Sequence, residues 1–368
     1  MQLRVWRHFD FVLLLCVLAL VGWGVAVIYS ATWGGEPGLP KDDAVYRQLA
    51  TAAAGLVLMA IAVGVDYRLL GSVAWPLYVA ALVLLALVLV GGHTSYGAQR
   101  WLDLKFFPLQ PSELAKLALI IALAKYLARH DEEMDCFRYV RGSLVIVAIP
   151  AALILLQPHL GTTVVLGVIW FGMLVAAGLR VVHMLALVLM GAGASPALWL
   201  MLSDYQRQRV FQFFDQGASD PLGADYNIRQ ALISIGSGGL TGLGYLSGDQ
   251  TQLHYLRVRH TDFIFSVLAE EMGFIGACVL LGLFLLLMWR MLRVAALSRD
   301  PFGRYIAVGV VSYIMVQAFV NIGMNVHLLP VVGIPLPYFS YGGSALVTGL
   351  LCIGILESVV MRHKRLEF

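Results

Sequence analysis

The sequence predicts an all-α polytopic membrane protein of about ten transmembrane helices, and three observations carry that reading. The 368 residues are 60% hydrophobic and only 13% charged, whereas an ordinary soluble domain is about 25% charged. Mean hydropathy is +0.81. Apolar runs long enough to cross a hydrocarbon core of roughly 30 Å recur at about 10–30, 48–65, 70–91, 113–128, 141–157, 162–178, 181–202, 263–289, 305–326 and 343–361, the fourth to sixth short enough to be partly re-entrant. The net charge of +3 is too small to point to a nucleic-acid partner. Cys16, Cys136, Cys278 and Cys352 are scattered, three of them inside apolar runs, which suits isolated small hydrophobes rather than a disulfide frame or a metal site. The first run is also too long for the core of a cleaved signal, so no cleaved leader is expected.

Orientation follows from Lys and Arg in the short loops. With the N-terminus cytoplasmic, one side collects Arg4, Arg7, Arg68, Lys125, Arg129 and the basic residues near 138–141, 180, 290–304 and 362–365. The other side's short loops hold Lys41, Arg47, Arg100 and Lys105. Both termini are therefore placed in the cytoplasm, and an even number of spans agrees. Residues 203–262 form one large extracytoplasmic loop between the seventh and eighth spans, and a loop that long crosses largely regardless of charge. Within it, 225–236 puts Ile228, Leu232 and Ile235 on one helical face, the pattern of an interfacial amphipathic helix. No internal repeat or low-complexity tract breaks the chain, so 1–368 reads as a single membrane domain.

Four polar stretches interrupt this apolar sequence. In VRHTDFIFSVLAEEMGFIG, 258–276, Asp262 stands at the mouth of the eighth span, and helical spacing aligns it with Ser266 and Glu270. A carboxylate at a helix start is kept ionised by the helix dipole. Asp262 can be a plain N-cap, or it can accept a proton or hold a cation at the outer surface. Glu270 and Glu271 lie deeper, where acids are costly and generally pair or line a cavity; pairing with a buried base competes there with direct chemistry. In GAQRWLDLKFFPLQPSELAK, 97–116, Pro111 and Ser112 start a helix, and Glu113 and Lys116 are one turn apart, able to neutralise each other. Arg100 beside Trp101 is an interfacial anchor or a phosphate contact.

LLQPHLGTT, 155–163, breaks the chain between two short spans, and LLPVVGIPLPYFSYGGSA, 328–345, is a rigid non-helical loop with free backbone donors. GSGGLTGLG, after the amphipathic segment, is a flexible turn or a phosphate cradle. By the charge distribution all four polar stretches fall on the outer face. That points to a site at headgroup level with both a carboxylate and cations, suited to an amphiphile with an anionic head and an apolar tail.

GAQRW, LQPSELAK, QPHLGT, IGSGGLTGLG, HTDFIFSVLAEE and GIPLPYFSYGGS, in that order and over nearly the whole chain, resemble the SEDS (shape, elongation, division and sporulation) family of bacterial peptidoglycan polymerases. NIGM at 321–324 with LPVVGIPLP at 329–337 is more similar to its elongation branch, RodA, than to its division branch, FtsW. The resemblance implies ten spans, a lipid II glycosyltransferase of the bacterial inner membrane acting on its outer face, a class B penicillin-binding protein and other elongation-complex proteins as partners, and a divalent cation (Mg or Mn) as cofactor. It makes Asp262 the catalytic residue and Arg100, Glu113 and Lys116 cavity residues, with Gln157, His260 and Thr261 as further substrate-binding candidates and Arg257 and Arg259 in reach of headgroups or pyrophosphate. The family usually reads QPDLGT, and here His159 replaces the acid, which puts any cation-holding role of that position in doubt. Two other functions share these features. A lipid II flippase would also carry intramembrane acids, though no inverted repeat supports it, and a non-catalytic scaffold activating the penicillin-binding protein would tolerate loss of Asp262.

Overall fold

The computed structural model describes residues 8–33, 44–91, 93–95, 98–103, 108–131, 137–201, 206–207, 211, 213, 224–253, 255–256 and 258–362. Each apolar run becomes a helix: α1 Phe11–Thr32, α2 Ala44–Gly64, α3 Arg68–Gly91, α4 Pro111–Arg129, α5 Phe137–Leu156, α6 Leu160–Ala176, α7 Val181–Met201, then after two shorter helices, α8 Ala224–Ser237 and α9 Asp249–Gln252, the long α10 Ile264–Leu297, α11 Pro301–Asn325 and α12 Gly343–Met361. Seven of these are long and apolar enough to cross a membrane, α6 and the apolar part of α7 being shorter. The protein is thus a multi-pass, mostly helical membrane protein. One segment departs from the all-α expectation: His93–Ser95, Ala98–Asp103 and Pro108–Leu109 form a small antiparallel sheet β1-β2-β3. Strands this short leave too few residues for an alternating pattern to register in a sequence.

Burial sorts the helices into an inside and a lipid-facing outside. In the apolar windows of α11 and α12, 72% and 83% of residues are buried, against 28% in α2, α3 and α10. The inner helices approach closely through small residues. A Cβ on Gly354 of α12 would sit 2.5 Å from the Met59 carbonyl of α2. The α11 start is capped by Asp300, whose carboxylate accepts from Gly303 N–H at 3.3 Å and from the Tyr67 phenol of the α2–α3 turn. Burial first, then that hydrogen bond, pushes the Tyr67 hydroxyl up to about 12.

α10 is broken near its first third. Gly273 sits at φ 63°, ψ −162°, a conformation that essentially only glycine adopts. The break frees helix groups that need partners, and the glycine-rich stretch before α9 supplies them. Leu243 and Gly244 N–H donate to the Glu270 and Glu271 carbonyls at 3.0 Å each, while Phe274 and Ile275 N–H reach the Gly239 and Leu240 carbonyls at 2.9 and 3.1 Å. GSGGLTGLG is therefore not a loose turn but a backbone plug in a split helix. α8, just before it, buries Ile228, Ala231 and Ser234, while Leu232 is 40% exposed. Its inner face is thus offset from the Ile228–Leu232–Ile235 stripe the sequence suggested, because it packs on α10 through small residues.

Candidate functional site

The segment linking α11 to α12 organises one end of the bundle. Pro330, Pro335 and Pro337 keep it from becoming helical, so its polar groups bond outward. Ser340 Oγ accepts from Leu336 N–H at 2.9 Å and donates to the Thr261 carbonyl at 2.7 Å; Tyr341 N–H donates to the His260 carbonyl at 2.9 Å. Just after this segment, Ser344 Oγ in the first turn of α12 accepts from Gln110 N–H at 3.0 Å and donates to the Pro108 carbonyl at 3.1 Å, which ties this end of α12 to the start of α4. Gln48 of α2 closes the far side, donating to the Ser340 carbonyl and accepting from Gly342 N–H, both at 3.2 Å. Gly161 of the QPHLGT break lies so close to Val332 and Ile334 that a Cβ there would stand 2.8 Å from the Ile334 side chain. HTDF, PSELAK and QPHLGT are thus gathered around one loop, as the shared-face reading required.

Asp262 lies in the turn that precedes α10, not in the helix: α10 begins at Ile264, and its N-cap is Phe263, which makes no side-chain cap bond. It therefore does not share a helical face with Ser266 and Glu270. Its carbonyl accepts from Asn321 Nδ2 and from Asn325 Nδ2, each at 3.0 Å. The turn itself holds Val258 at φ 56°, a strained choice for a β-branched residue, and Thr261 Oγ1 donates to the Val258 carbonyl at 3.2 Å. The His260 ring meets Tyr341 edge-on at 5.4 Å. Arg259 donates to the Ala31 carbonyl and so caps the C-terminal end of α1.

Lys116 and Glu113 form the self-neutralising pair the spacing implied. The Lys116 ammonium lies 2.8 Å from both Glu113 oxygens and 4.6 Å from the Tyr313 ring centroid, and the Tyr313 hydroxyl donates to Glu113 at 3.3 Å. Lys116 is 0% and Glu113 2% exposed, so the pair works from inside the wall. Gln157 is buried too, and its Nε2 donates to the Leu85 carbonyl of α3 at 2.9 Å. His159 is the N-cap of α6: Nδ1 accepts from Thr162 N–H at 3.2 Å. Asp is a preferred residue at such a position, so an unprotonated imidazole nitrogen takes over the capping acceptor that the family's acid would provide. The backbone of Arg100 lies in β2, a few residues ahead of α4; its side chain, and Arg257 altogether, fall outside the described residues.

The two deeper glutamates accept hydrogen bonds from neighbouring elements, and among the described residues no base is paired with them. Glu270 accepts from Gln250 N–H at 2.7 Å and Thr251 Oγ1 at 2.6 Å, capping α9, and Glu271 accepts from the Ser30 hydroxyl of α1. Among the described residues no three His, Cys, Asp or Glu side chains group into a metal-ligand set. A cation such as Mg²⁺ often takes only one or two carboxylates and completes its shell with substrate phosphates and water.

Residues 11–365 match the model of the FtsW/RodA/SpoVE family of cell cycle proteins. The chain belongs to that family. It is 42% identical over 361 residues to the peptidoglycan glycosyltransferase MrdB of Escherichia coli (strain K12), covering 98% of this chain and 95% of that protein. Its fold is similar to a chain from a solved peptidoglycan synthase complex described as coordinating polymerization and crosslinking, with TM-score 0.83, 33% identity and coverage of 96% and 98%. It is likewise similar to the crystal structure of the rod shape determining protein RodA of Thermus thermophilus, with TM-score 0.70, 33% identity and coverage of 97% and 98%.

Within this family fold, sequence reasoning missed the side chains that hold the site together. Asn321, Asn325, Ser340, Ser344, Gln48 and Tyr313 each bond a backbone or side-chain group of another element. Buried amides inside apolar helices were the available signal, since a buried polar group demands a partner; NIGM was noticed for its resemblance and not for that demand.

Proposed function

We propose that this chain is a peptidoglycan glycosyltransferase that polymerises lipid II into glycan strands during cell elongation. It crosses the bacterial cytoplasmic membrane ten times with both termini inside, and its site faces outward. The observation that supports this most directly is the HTD turn. Asp262 sits before the start of α10 on a turn tied to the proline-rich loop, and the first turn of α12 after that loop joins the start of α4. The family membership and the relatives' activity give that turn its chemistry.

A hydroxyl of the acceptor lipid II sugar attacks the anomeric carbon of the growing chain. The new C–O bond forms as the bond to undecaprenyl pyrophosphate breaks, with inversion at that carbon, and Asp262 takes the hydroxyl proton. General-base help of this kind is commonly worth about 10²–10⁴-fold. Negative charge grows on the leaving pyrophosphate. Arg100, Arg257 and His260 would meet it. A divalent cation, which Asp262 would hold, would supply further neutralisation of that charge. Lys116 and Glu113, locked to each other, fix the start of α4, while Gln157 and Thr261 brace the neighbouring breaks. A class B penicillin-binding protein and other elongation-complex proteins are the partners.

The test is lipid II polymerisation by the purified chain in detergent, with and without Mg²⁺ and a class B partner. Asp262→Ala and Asp262→Asn should both abolish glycan chains while leaving the protein folded and able to bind the partner. Glycan synthesis that survives Asp262→Ala would overturn the assignment in favour of a scaffold. Lipid II movement across vesicles without any polymer would indicate a flippase.

A further inference from the structure

In a helix continuing toward its N-terminus, the Ser266 N–H would meet the carbonyl four residues back, that of Asp262. Here it turns to the Phe263 carbonyl at 3.1 Å and to Asn325 Oδ1 at 3.3 Å. The Asp262 carbonyl meanwhile receives Asn325 Nδ2 at 3.0 Å. One side-chain amide from α11 therefore stands between the two groups whose direct bond would have added another turn to α10. Ser266 Oγ strengthens the bridge by donating to the same Oδ1 at 2.7 Å. Asn321, one turn earlier on α11, gives the Asp262 carbonyl a second donor at 3.0 Å and also donates to the Ile334 carbonyl at 2.8 Å. It thereby ties the turn to the proline-rich loop. Asn321, Asn325 and Ser266 are all 0% exposed.

We infer that Asn325 and Asn321 are positioning residues for Asp262: their amides end α10 early and hold the aspartate in the turn, off the helix. An amide suits the task because it carries a donor and an acceptor at once. Alanine carries neither, and an ionised carboxylate cannot donate. Without Asn325, the Asp262 carbonyl and the Ser266 N–H each lose one of their two partners, the carbonyl keeping Asn321 Nδ2 and the N–H keeping the Phe263 carbonyl, and the Ser266 hydroxyl loses its acceptor. The simplest relief is for the carbonyl and the N–H to bond each other. That extends α10 and swings Asp262 onto the face of Ser266 and Glu270, which points into the protein, since both are fully buried. The fold survives such a change; the placement of the carboxylate does not.

This inference rests on Asp262 acting as the base, and the experiment keeps the two claims apart. The purified full-length chain is assayed for kcat and KM on lipid II as wild type, Asp262→Ala, Asn325→Ala, Asn325→Gln, Asn321→Ala and Ser266→Ala. Hydrogen exchange is followed over 258–268. Misplacing a reacting group by about an ångström can cost on the order of 100-fold. Asn325→Ala should therefore lower kcat about that much with KM within about threefold. Exchange at the Ser266 amide should slow as the helix extends. Asn325→Gln, which keeps the amide, should recover part of kcat, Asn321→Ala should lose less than Asn325→Ala, and Ser266→Ala, which keeps the N–H bond to Asn325 Oδ1, should lose less than Asn325→Ala too. Asn325→Ala with near wild-type kcat overturns the proposal alone; active Asp262→Ala overturns the base assignment and the proposal with it. A loss in Asn325→Ala that Asn325→Gln does not relieve, with faster exchange across 258–268, would show a merely structural role. If Asn325→Ala does not fold, Asn325→Gln and Asn321→Ala decide by the same kcat and exchange criteria.

Discussion

Replacing Lys116 by methionine tests whether the buried pair in α4 serves stability or chemistry. The ammonium lies 2.8 Å from both Glu113 oxygens and is 0% exposed. Lys116→Met leaves the carboxylate inside the bundle with the Tyr313 hydroxyl, at 3.3 Å, as its side-chain donor. Removing one member of a buried ion pair costs roughly 3–5 kcal/mol, because the remaining charge is stranded, whereas replacing both with groups of similar volume is often close to neutral. Lys116→Met and Glu113→Gln should therefore each destabilise by about that amount, and the double variant should recover most of it, a coupling of at least about 2 kcal/mol. At roughly 2–4 °C per kcal/mol for chains of a few hundred residues, each single variant should melt roughly 6–20 °C lower. Thermal unfolding in detergent, with lipid II polymerisation of the double variant alongside, reads both effects. Single variants within about 1 kcal/mol of wild type, or a double variant as unstable as the singles, would refute the reasoning. A stable double variant without polymerase activity would show that the pair also shapes the site.

Three further outcomes follow from the same structure. Gly273→Ala puts a side chain on a residue at φ 63° and 2.4 Å from the Gly242 nitrogen, where neither backbone can give. It should cost at least about 3 kcal/mol and open 238–252 to proteolysis; a variant as resistant as wild type would show that the plug is not needed. His159→Ala should lose about 1 kcal/mol through the α6 cap and His159→Asp should restore it, so equal melting of the two would dismiss the capping role. Arg290→Ala leaves Asp10 buried without the guanidinium that donates to it at 2.9 Å, beside Glu357, which accepts from Asp10 N–H at 3.0 Å. About 3–5 kcal/mol should go, readable as a lower unfolding temperature with KM for lipid II unchanged.

The positions of the helices and the Glu113–Lys116 pair were legible in the linear chain because their causes are local. An apolar run becomes a helix wherever its backbone must satisfy itself in lipid, and an i, i+3 pair meets whatever else the chain does. The stretches that meet at the site were legible too, as interruptions of apolar runs on one charge-assigned face. What each residue does there was decided by partners far away in sequence. Asp262 reads as part of a helix in the sequence, but it lies in a turn whose carbonyl accepts from two asparagines about 60 residues later. Glu270 accepts from a backbone N–H and a hydroxyl 20 and 19 residues before it, and among the described residues no base is paired with it. The glycine-rich stretch became a plug because α10 breaks at Gly273. No periodicity announces such contacts. A buried polar group tells the reader that it must be paired, and only the tertiary structure says with what.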